Sequence, residues 1–395
     1  MKRVRVAVLM GGPSPERDVS LLTGRQIAAA LDQTRYDVLP VEITVDGKWL
    51  LRPDLSLPAP AERPGIPASA ATTALTTADG VRNPVPVSFE AAVEQERVDV
   101  AFIAMHGPYG EDGTVQGLLE LLGLPYTGSG VLASALAMDK LRSRQLFAYH
   151  RIPVPMYLSV TSEDWQDHEA VHQRVAHQLG YPCVVKPNAV GSSIGVTLVR
   201  APGELDHAIA TALAYGPIVL IEEYVRGMEL TCGIIDDPQT GHPIALPLIE
   251  VVPHAEFYDY QAKYAAGGSD HFVPARVSEA LGQSATALAL RVYQALGCEG
   301  MSRVDMIARG DQIVVLEINT IPGMTATSLL PDAAKAAGIS FVQLLDRIVA
   351  CALRRTSRRA PNRLREHPHL NVPRHATEPQ LLDRTSPARL EIPSA

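Results

Sequence analysis

The chain has 395 residues, enough for two or three packed units, and its 46% hydrophobic and 20% charged residues suit a soluble globular protein and exclude a fibrous or wholly disordered one. A formal net charge of −8 does not favour nucleic acid as a partner, although residues 354–395 carry nine Arg against four acidic residues. No apolar run approaches transmembrane length, and the apolar stretch after Met1-Lys2-Arg3-Val4-Arg5 stops at Gly11-Gly12, too short for a signal peptide.

Val4–Met10 reads as a buried strand, followed by the glycine loop Gly11-Gly12-Pro13-Ser14 and a helix from Glu16 to Leu31, an α/β unit with a site at the strand's carboxyl end. Val41–Leu51 carries the hairpin signal Asp46-Gly47, and residues 53–86, rich in Pro, Ala and Thr, form a loop excursion. A second buried strand, Val98–Ala104, ends at His106-Gly107, and a helix follows Thr114 with Val115, Leu118, Leu119 and Leu122 on one stripe and Gly123 as its stop. The spacing predicts one long helix over Val131–His150, strands at Tyr157–Val160, Cys183–Lys186, Val196–Arg200 and Ile218–Glu223, and a final helix Pro331–Arg355. The rest of the chain, residues 356–395, has little periodicity and is expected to be a disordered tail. Cys183, Cys232, Cys298 and Cys351 stand apart from one another, which points to a reducing cytoplasm and away from disulfides or a zinc site.

The most informative stretch is Ser302–Thr320. Two alternating β-rich flanks enclose Gly310-Asp311, so the segment reads as a hairpin. A turn centred near Asp311 sets Asp305 opposite Glu317 and Arg303 opposite Asn319, and period-2 alternation puts all four on one face. Two carboxylates and an amide oxygen suit magnesium, which takes few protein ligands and completes its shell with phosphate and water. The arginine can stabilise negative charge beside it. A solvated acidic face is the alternative.

Other motifs carry less on their own. Lys186-Pro187-Asn188 through Gly195 joins two strands with a Gly/Ser-rich loop that is either a phosphate-binding nest or a plain hairpin loop, and it lacks the Walker pattern. Gly128-Ser129-Gly130 mimics a dinucleotide fingerprint without the strand before it or the acidic residue after it, and is rejected as one. Lys140 is either a site lysine or a snorkelling surface lysine. Glu222 and Glu229 flank a turn and either accept from a ribose or adenine or are solvated. Glu16 and His106 are site residues, or respectively a helix first-turn carboxylate and a satisfied strand-end histidine. Phe257–Tyr264, flanked by Pro253-His254 and Gly267-Gly268, has the make-up of a lid loop, or else is an aromatic surface loop.

Over about residues 3–353, these motifs in this order resemble the D-alanine–D-alanine ligases of the ATP-grasp superfamily. They are Gly-Gly-Pro-Ser-Pro-Glu-Arg-Asp-Val-Ser (11–20), His-Gly-Pro-Tyr-Gly-Glu-Asp-Gly (106–113), Leu-Pro-Tyr-Thr-Gly-Ser-Gly (124–130), Met-Asp-Lys (138–140), Lys186-Pro187 with Gly191-Ser192-Ser193-Ile194-Gly195, Phe-Tyr-Asp-Tyr-Gln-Ala-Lys-Tyr (257–264) and Glu-Ile-Asn-Thr-Ile-Pro-Gly-Met-Thr (317–325). The resemblance implies an α/β class of fold in three parts: an N-terminal open α/β domain over 1–137, a central ATP-grasp part over 138–230 and a C-terminal one over 231–355 with a lid at 253–274. It implies that Lys140, Lys186, Ser192, Ser193, Glu222, Glu229 and Lys263 bind ATP, and that Asp305, Glu317 and Asn319 hold two magnesium ions, for which manganese can substitute. Glu16 and His106 would hold the first D-alanine, Ser328 and Leu329 the second, and Arg303 with the Gly323 backbone would face the tetrahedral intermediate. Glu16, Ser192 and Tyr264 would form a hydrogen-bonded triad. The implied reaction joins two D-alanines through an acyl phosphate for peptidoglycan precursors, in a cytoplasmic homodimer without nucleic-acid or membrane partners. Glu223 departs from relatives that carry a basic residue beside adenine. The rivals are a ligase for D-alanyl-D-lactate or D-alanyl-D-serine, of which the lactate version is disfavoured by Tyr264, and a silent ATP-binding module, disfavoured by the intact set Arg303, Asp305, Glu317 and Asn319.

Overall fold

The structure, a computed structural model, describes residues 3–52, 85–87, 97–254, 268–325 and 328–359. Its fold is the expected mixed α/β one, built on three sheets.

In the first sheet, β1 (Val4–Gly11) lies parallel to β2 (Tyr36–Ile43) and to β5 (Val100–Ile103), while β3 (Trp49–Leu51) and β4 (Val85–Val87) extend the β2 edge in antiparallel fashion. The Asp46-Gly47 hairpin forms as expected, with Val41 opposite Leu51. β4 shows that the loop stretch 53–86 ends in strand; residues 53–84 themselves lie outside the described residues. Val6–Met10 are completely or almost completely buried, as parallel strands covered on both faces are. Helix α1 (Arg17–Ala30) packs closely enough on β1 that a Cβ at Gly24 would lie 2.6 Å from Met10. In α2 (Thr114–Leu121) Val115 and Leu119 face inward, but Leu118 is exposed, so the apolar stripe is narrower than its spacing predicts.

The long helix expected over Val131–His150 is two, α3 (Val131–Met138) and α4 (Lys140–Tyr149). Asp139 leaves the helical region and its side chain accepts from the backbone N–H of Arg142, capping α4. Propensity alone hides this break, because both flanks are good helix formers.

The second sheet is antiparallel, in the order β6 (Tyr157–Thr161), β9 (Ile218–Glu223), β7 (Cys183–Pro187), β8 (Thr197–Val199). Val171 and Val175 of α5 (His168–Gln178) and Leu205 and Ile209 of α6 (Leu205–Leu213) close its core. The third sheet joins β10 (Met228–Asp236), β11 (Pro243–Ala245), β12 (Ile249–Pro253), β13 (Ser269–Phe272), β14 (Met301–Arg309) and β15 (Gln312–Asn319). β10 runs across residues 230 and 231, where the sequence reading places a domain limit. Val304, Met306, Val315 and Ile318 pack in one core with Leu288, Val292 and Leu296 of α7 (Glu279–Leu296), which turns the alternate residues Arg303, Asp305, Glu317 and Asn319 to the other face.

The final helix expected over Pro331–Arg355 is also two, α8 (Leu329–Ala336) and α9 (Phe341–Arg359), separated at Gly338, whose φ is +76°. α9 continues four residues beyond the expected end, and residues 360–395, where the disordered tail is expected, lie outside the described residues. No single helix among the described residues is long and apolar enough to cross a membrane; α8 and the first part of α9 reach that composition only as a pair bent by 105°, with Leu330, Leu344, Leu345 and Ile348 buried in the core.

Candidate active site

β14 and β15 pair as expected at the site, Arg303 opposite Asn319 and Asp305 opposite Glu317. The route to that register differs from the simple count. Arg309 pairs with Gln312, so the turn centres between Gly310 and Asp311, and a bulge between Asp305 and Met306 restores the pairing by leaving Leu316 as the extra residue. Arg303 donates from Nε and Nη2 to the two oxygens of Asp305 at 2.9 and 2.8 Å, and Thr231 donates its hydroxyl to Asp305 Oδ1 at 2.5 Å. Asn319 Oδ1 accepts from the Ile321 N–H at 2.9 Å, and Lys140 Nζ stands 3.9 Å from Glu317 Oε2. Directly opposed carboxylates repel one another, and Arg303 and Lys140 offset that here. Among the described residues no group of three or more His, Cys, Asp or Glu side chains forms a metal cage, so the donor set is two carboxylates and an amide. That hard, incomplete set fits a divalent ion that keeps water and phosphate in its shell.

The loop between β7 and β8 approaches this face. Ser192 and Ser193 both have positive φ, +52° and +56°, an uncommon backbone for residues with a Cβ that turns successive N–H groups the same way. Ser192 Oγ donates to Glu16 Oε1, and a Cβ at Gly191 would lie 2.8 Å from Glu16 Oε2, so a side chain there would have to move the Glu16 carboxylate. Asn188 takes the first N–H groups of α4: its carbonyl accepts from Lys140 at 3.1 Å and its Oδ1 from Leu141 at 2.8 Å. Lys140 Nζ donates to the Val190 carbonyl at 2.7 Å, so Lys140 is buried and does not snorkel to the surface. Burial lowers its pKa, and Glu317 pulls the other way.

Lys186, at the base of the same loop, bonds to Glu222 of β9. The other oxygen of Glu222 accepts from Arg144 Nε at 2.7 Å. Burial acts to raise the Glu222 pKa, but Arg144 and Lys186 together outweigh it and hold the carboxyl below its ordinary value. Glu222 is 2% exposed, with one oxygen bonded to Arg144 and the other to Lys186. Arg144 and its bond to the Leu316 carbonyl were not foreseen; the only signal was a cation four residues after Lys140 on the same helix.

Glu16 and His106 meet where the loops after β1 and β5 cross. The Glu16 N–H donates to Ser14 Oγ at 3.1 Å, and the space beside Glu16 is so tight that a Cβ at Gly107 would lie 2.2 Å from Oε2. His106 Nε2 lies 3.1 Å from Thr23 Oγ1, and burial pushes its pKa down to about 4, leaving a neutral ring. Glu111 lies inside the 106–113 motif, where no sequence signal sets it apart from its neighbours. Its Oε2 accepts from the Gly107 N–H at 2.6 Å, and burial, reinforced by Glu16, raises its pKa well above the ordinary carboxyl value.

The remaining expected residues divide. Gly323 adjoins Ser328, whose Oγ a Cβ there would meet at 2.7 Å, and Ser328 Oγ accepts from the Thr325 N–H at 3.0 Å as α8 begins at Leu329. Glu229 stands on β10 in the third sheet, opposite Val251 and Ile307, whereas Glu222 belongs to the second. Tyr264 and Lys263 lie outside the described residues, as do residues 255–267 of the lid expected at 253–274, whose last part holds β13, paired with β12.

The D-ala D-ala ligase N-terminus family matches residues 5–129, and the D-ala D-ala ligase C-terminus family matches residues 146–350. The chain belongs to the D-alanine–D-alanine ligase family. A relative named D-alanine–D-alanine ligase from Desulforudis audaxviator (strain MP104C) is 43% identical over 352 residues, which cover 89% of this chain and 99% of the relative. The solved D-alanine-D-alanine ligase of Coxiella burnetii superposes with a TM-score of 0.73 at 27% identity, covering 91% and 97% of the two chains. A D-Ala:D-Ser ligase from Enterococcus faecalis gives 0.71 at 30% identity, covering 89% of this chain and 100% of that one. Membership of the D-alanine–D-alanine ligase family makes the protein an ATP-grasp ligase that joins D-alanine to D-alanine for peptidoglycan synthesis, with ATP as substrate and a divalent metal.

Proposed function

We propose that the protein makes D-alanyl-D-alanine through an acyl phosphate, on the residues gathered above. An oxygen of the first D-alanine carboxylate attacks the γ-phosphorus of ATP, the bond to the β-phosphate oxygen breaks, and ADP leaves. The amine of the second D-alanine then attacks the acyl carbon, inorganic phosphate leaves, and the amine loses a proton. The observation that carries this reading is the cross-strand face, Asp305 opposite Glu317 and Arg303 opposite Asn319.

Asp305, Glu317 and Asn319 would hold two magnesium ions, or manganese in their place, which when bound neutralise phosphate charge. Lys140 and Lys186 supply cations on the same side, and the Ser192-Ser193 backbone offers N–H groups to the phosphates. Glu16 and His106 anchor the first D-alanine; the Gly323 backbone and Arg303 face the tetrahedral carbon, Arg303 exchanging part of its bond to Asp305 for the developing charge. Ser328 and Leu329, at the start of α8, receive the second carboxylate. Glu229, with Lys263, completes the nucleotide contacts. Tyr264 closes on Ser192 and Glu16, which are already bonded to one another, and keeps water from the acyl phosphate. A division into three domains is supported by the three sheets, with the second limit placed ahead of β10, which begins at Met228, and not at 230/231. Cytoplasmic location fits four unpaired cysteines, all with pKa raised by burial, and the homodimer rests on family resemblance.

The test measures phosphate release from ATP and dipeptide formed, with D-alanine alone, with D-serine or D-lactate added, and with no amino acid. One phosphate per D-alanyl-D-alanine and negligible release without D-alanine is the expected result. Preferential product with D-serine would make it a D-alanine–D-serine ligase, and nucleotide binding without any release would make it a silent module.

A further inference from the structure

Arg144 is the largest fully buried side chain in the described protein, and it is charged. It stands one turn after Lys140 on α4, so the two cations share a helix face. Through Glu222 it reaches the second sheet and Lys186; through Nη2 it donates to the carbonyl of Leu316 in the third. Leu316 is the extra residue of the bulge that sets Asp305 against Glu317, and Glu317 follows it directly. A buried ion pair of this kind is seldom better for stability than apolar residues of the same size, so stability does not account for it. Its two partners have one thing in common: each orients a charged group of the site, Lys186 on the phosphate side and Glu317 on the metal side.

We propose that Arg144 is a positioning residue that locks the bulge under Glu317 and the Lys186–Glu222 pair into one arrangement, so that metal affinity and nucleotide affinity depend on the same guanidinium. The inference rests on the proposed ATP and metal roles of these residues. A planar fork with several donors can serve a carboxylate and a carbonyl together, which an ammonium does less completely. Groups behind a metal ligand change metal affinity by about 10–100-fold when removed.

The experiment uses the full chain with Arg144→Met and Arg144→Lys. It measures the dissociation constant of a non-hydrolysable ATP analogue, the free magnesium concentration that half-saturates that binding, amide hydrogen exchange across 312–319, and KM for D-alanine. Arg144→Met is expected to weaken both the analogue and the magnesium dependence by about tenfold or more and to speed exchange in β15, with KM for the first D-alanine within about twofold of wild type. Arg144→Lys keeps the charge but not the planar fork and is expected to give back only part of the loss. Analogue affinity and magnesium dependence unchanged in a cooperatively folded Arg144→Met protein would overturn the proposal. So would equal losses in KM for D-alanine and in nucleotide affinity, which mark a general structural defect. If Arg144→Met does not fold, Arg144→Gln is read in its place, and no shift in analogue affinity overturns the proposal. Wild-type protein that fails to bind the analogue in the presence of magnesium would instead remove the nucleotide reading, which separates the two failures.

Discussion

Glu16, His106 and Glu111 sit on loops at the carboxyl ends of parallel strands and are 3%, 4% and 7% exposed. Arg303, Asp305 and Glu317 stand on antiparallel strands, with side chains 14%, 18% and 32% exposed. In the first region burial moves titration toward neutral groups: the His106 pKa falls to about 4 and that of Glu111 rises. In the second, opposed carboxylates remain beside an arginine and a lysine, a charged face that a cation can complete. A pocket that recognises a small zwitterion gains from dry, preset polar groups, whereas phosphoryl transfer needs charges that are ready to be neutralised.

The contrast breaks most sharply at the hairpin. Asp305→Asn or Glu317→Gln is expected to abolish ADP formation while circular dichroism and melting stay close to wild type, because each removes a carboxylate from a set of only two. Near-normal turnover at ordinary magnesium in a folded variant would show that the face is not the metal site.

The junction of the two regions is next. Gly191→Ala places a Cβ 2.8 Å from Glu16 Oε2 and must push apart Glu16 and Ser192. A displacement of about an ångström costs on the order of 100-fold in turnover. A kcat/KM for D-alanine within threefold of wild type would show that the Glu16–Ser192 contact is not needed.

In the dry region the effect is on stability. The unfolded chain protonates His106 below about 6.5, whereas the folded protein does so only near 4. Between these values the unfolded state binds more protons, so stability falls as the pH falls, by up to about 3 kcal/mol for this group. Glu111 works the other way, since a carboxyl whose folded pKa is raised contributes stability at low pH that is lost as the pH rises through that pKa. Urea unfolding from pH 7 to pH 4.5 is expected to show a smaller acid loss in His106→Gln than in wild type. An identical slope would mean that the ring is charged in the folded protein.

The smallest effect concerns the end of the fold. Arg355 donates to the Gly128 and Tyr126 carbonyls, pairs with Glu299 at 2.8 Å and lies 4.0 Å from the Tyr126 ring centre. Arg355→Ala is expected to cost about 2 kcal/mol. Deleting residues 360–395, which are poor in apolar residues, is expected to cost less than about 0.5 kcal/mol and to leave activity unchanged. A deletion as damaging as Arg355→Ala would show that the segment docks.

Chain-local chemistry made much of this legible. The Ser302–Thr320 alternation announced the hairpin, and glycine-rich stretches marked the loops that hold Glu16, His106 and Ser192. The break between α3 and α4 was masked by good helix formers on both sides, and the break between α8 and α9 by an apolar pattern that continues through Gly338. Arg144 and Glu111 were unreadable for a different reason: their partners lie on other elements, and only burial gives those contacts their weight.

The period-2 face of Arg303, Asp305, Glu317 and Asn319 follows from the chain alone, because side-chain alternation is a property of the backbone and needs no neighbours. Packing between the sheets set the bulge at Leu316 that keeps the carboxylates opposed and brought Arg144 to both that bulge and Glu222. Burial in the folded protein moves His106 and Glu111 away from their ordinary titration. Those outcomes depend on desolvation and on charges from distant segments, and both arise only when the sheets and helices pack together.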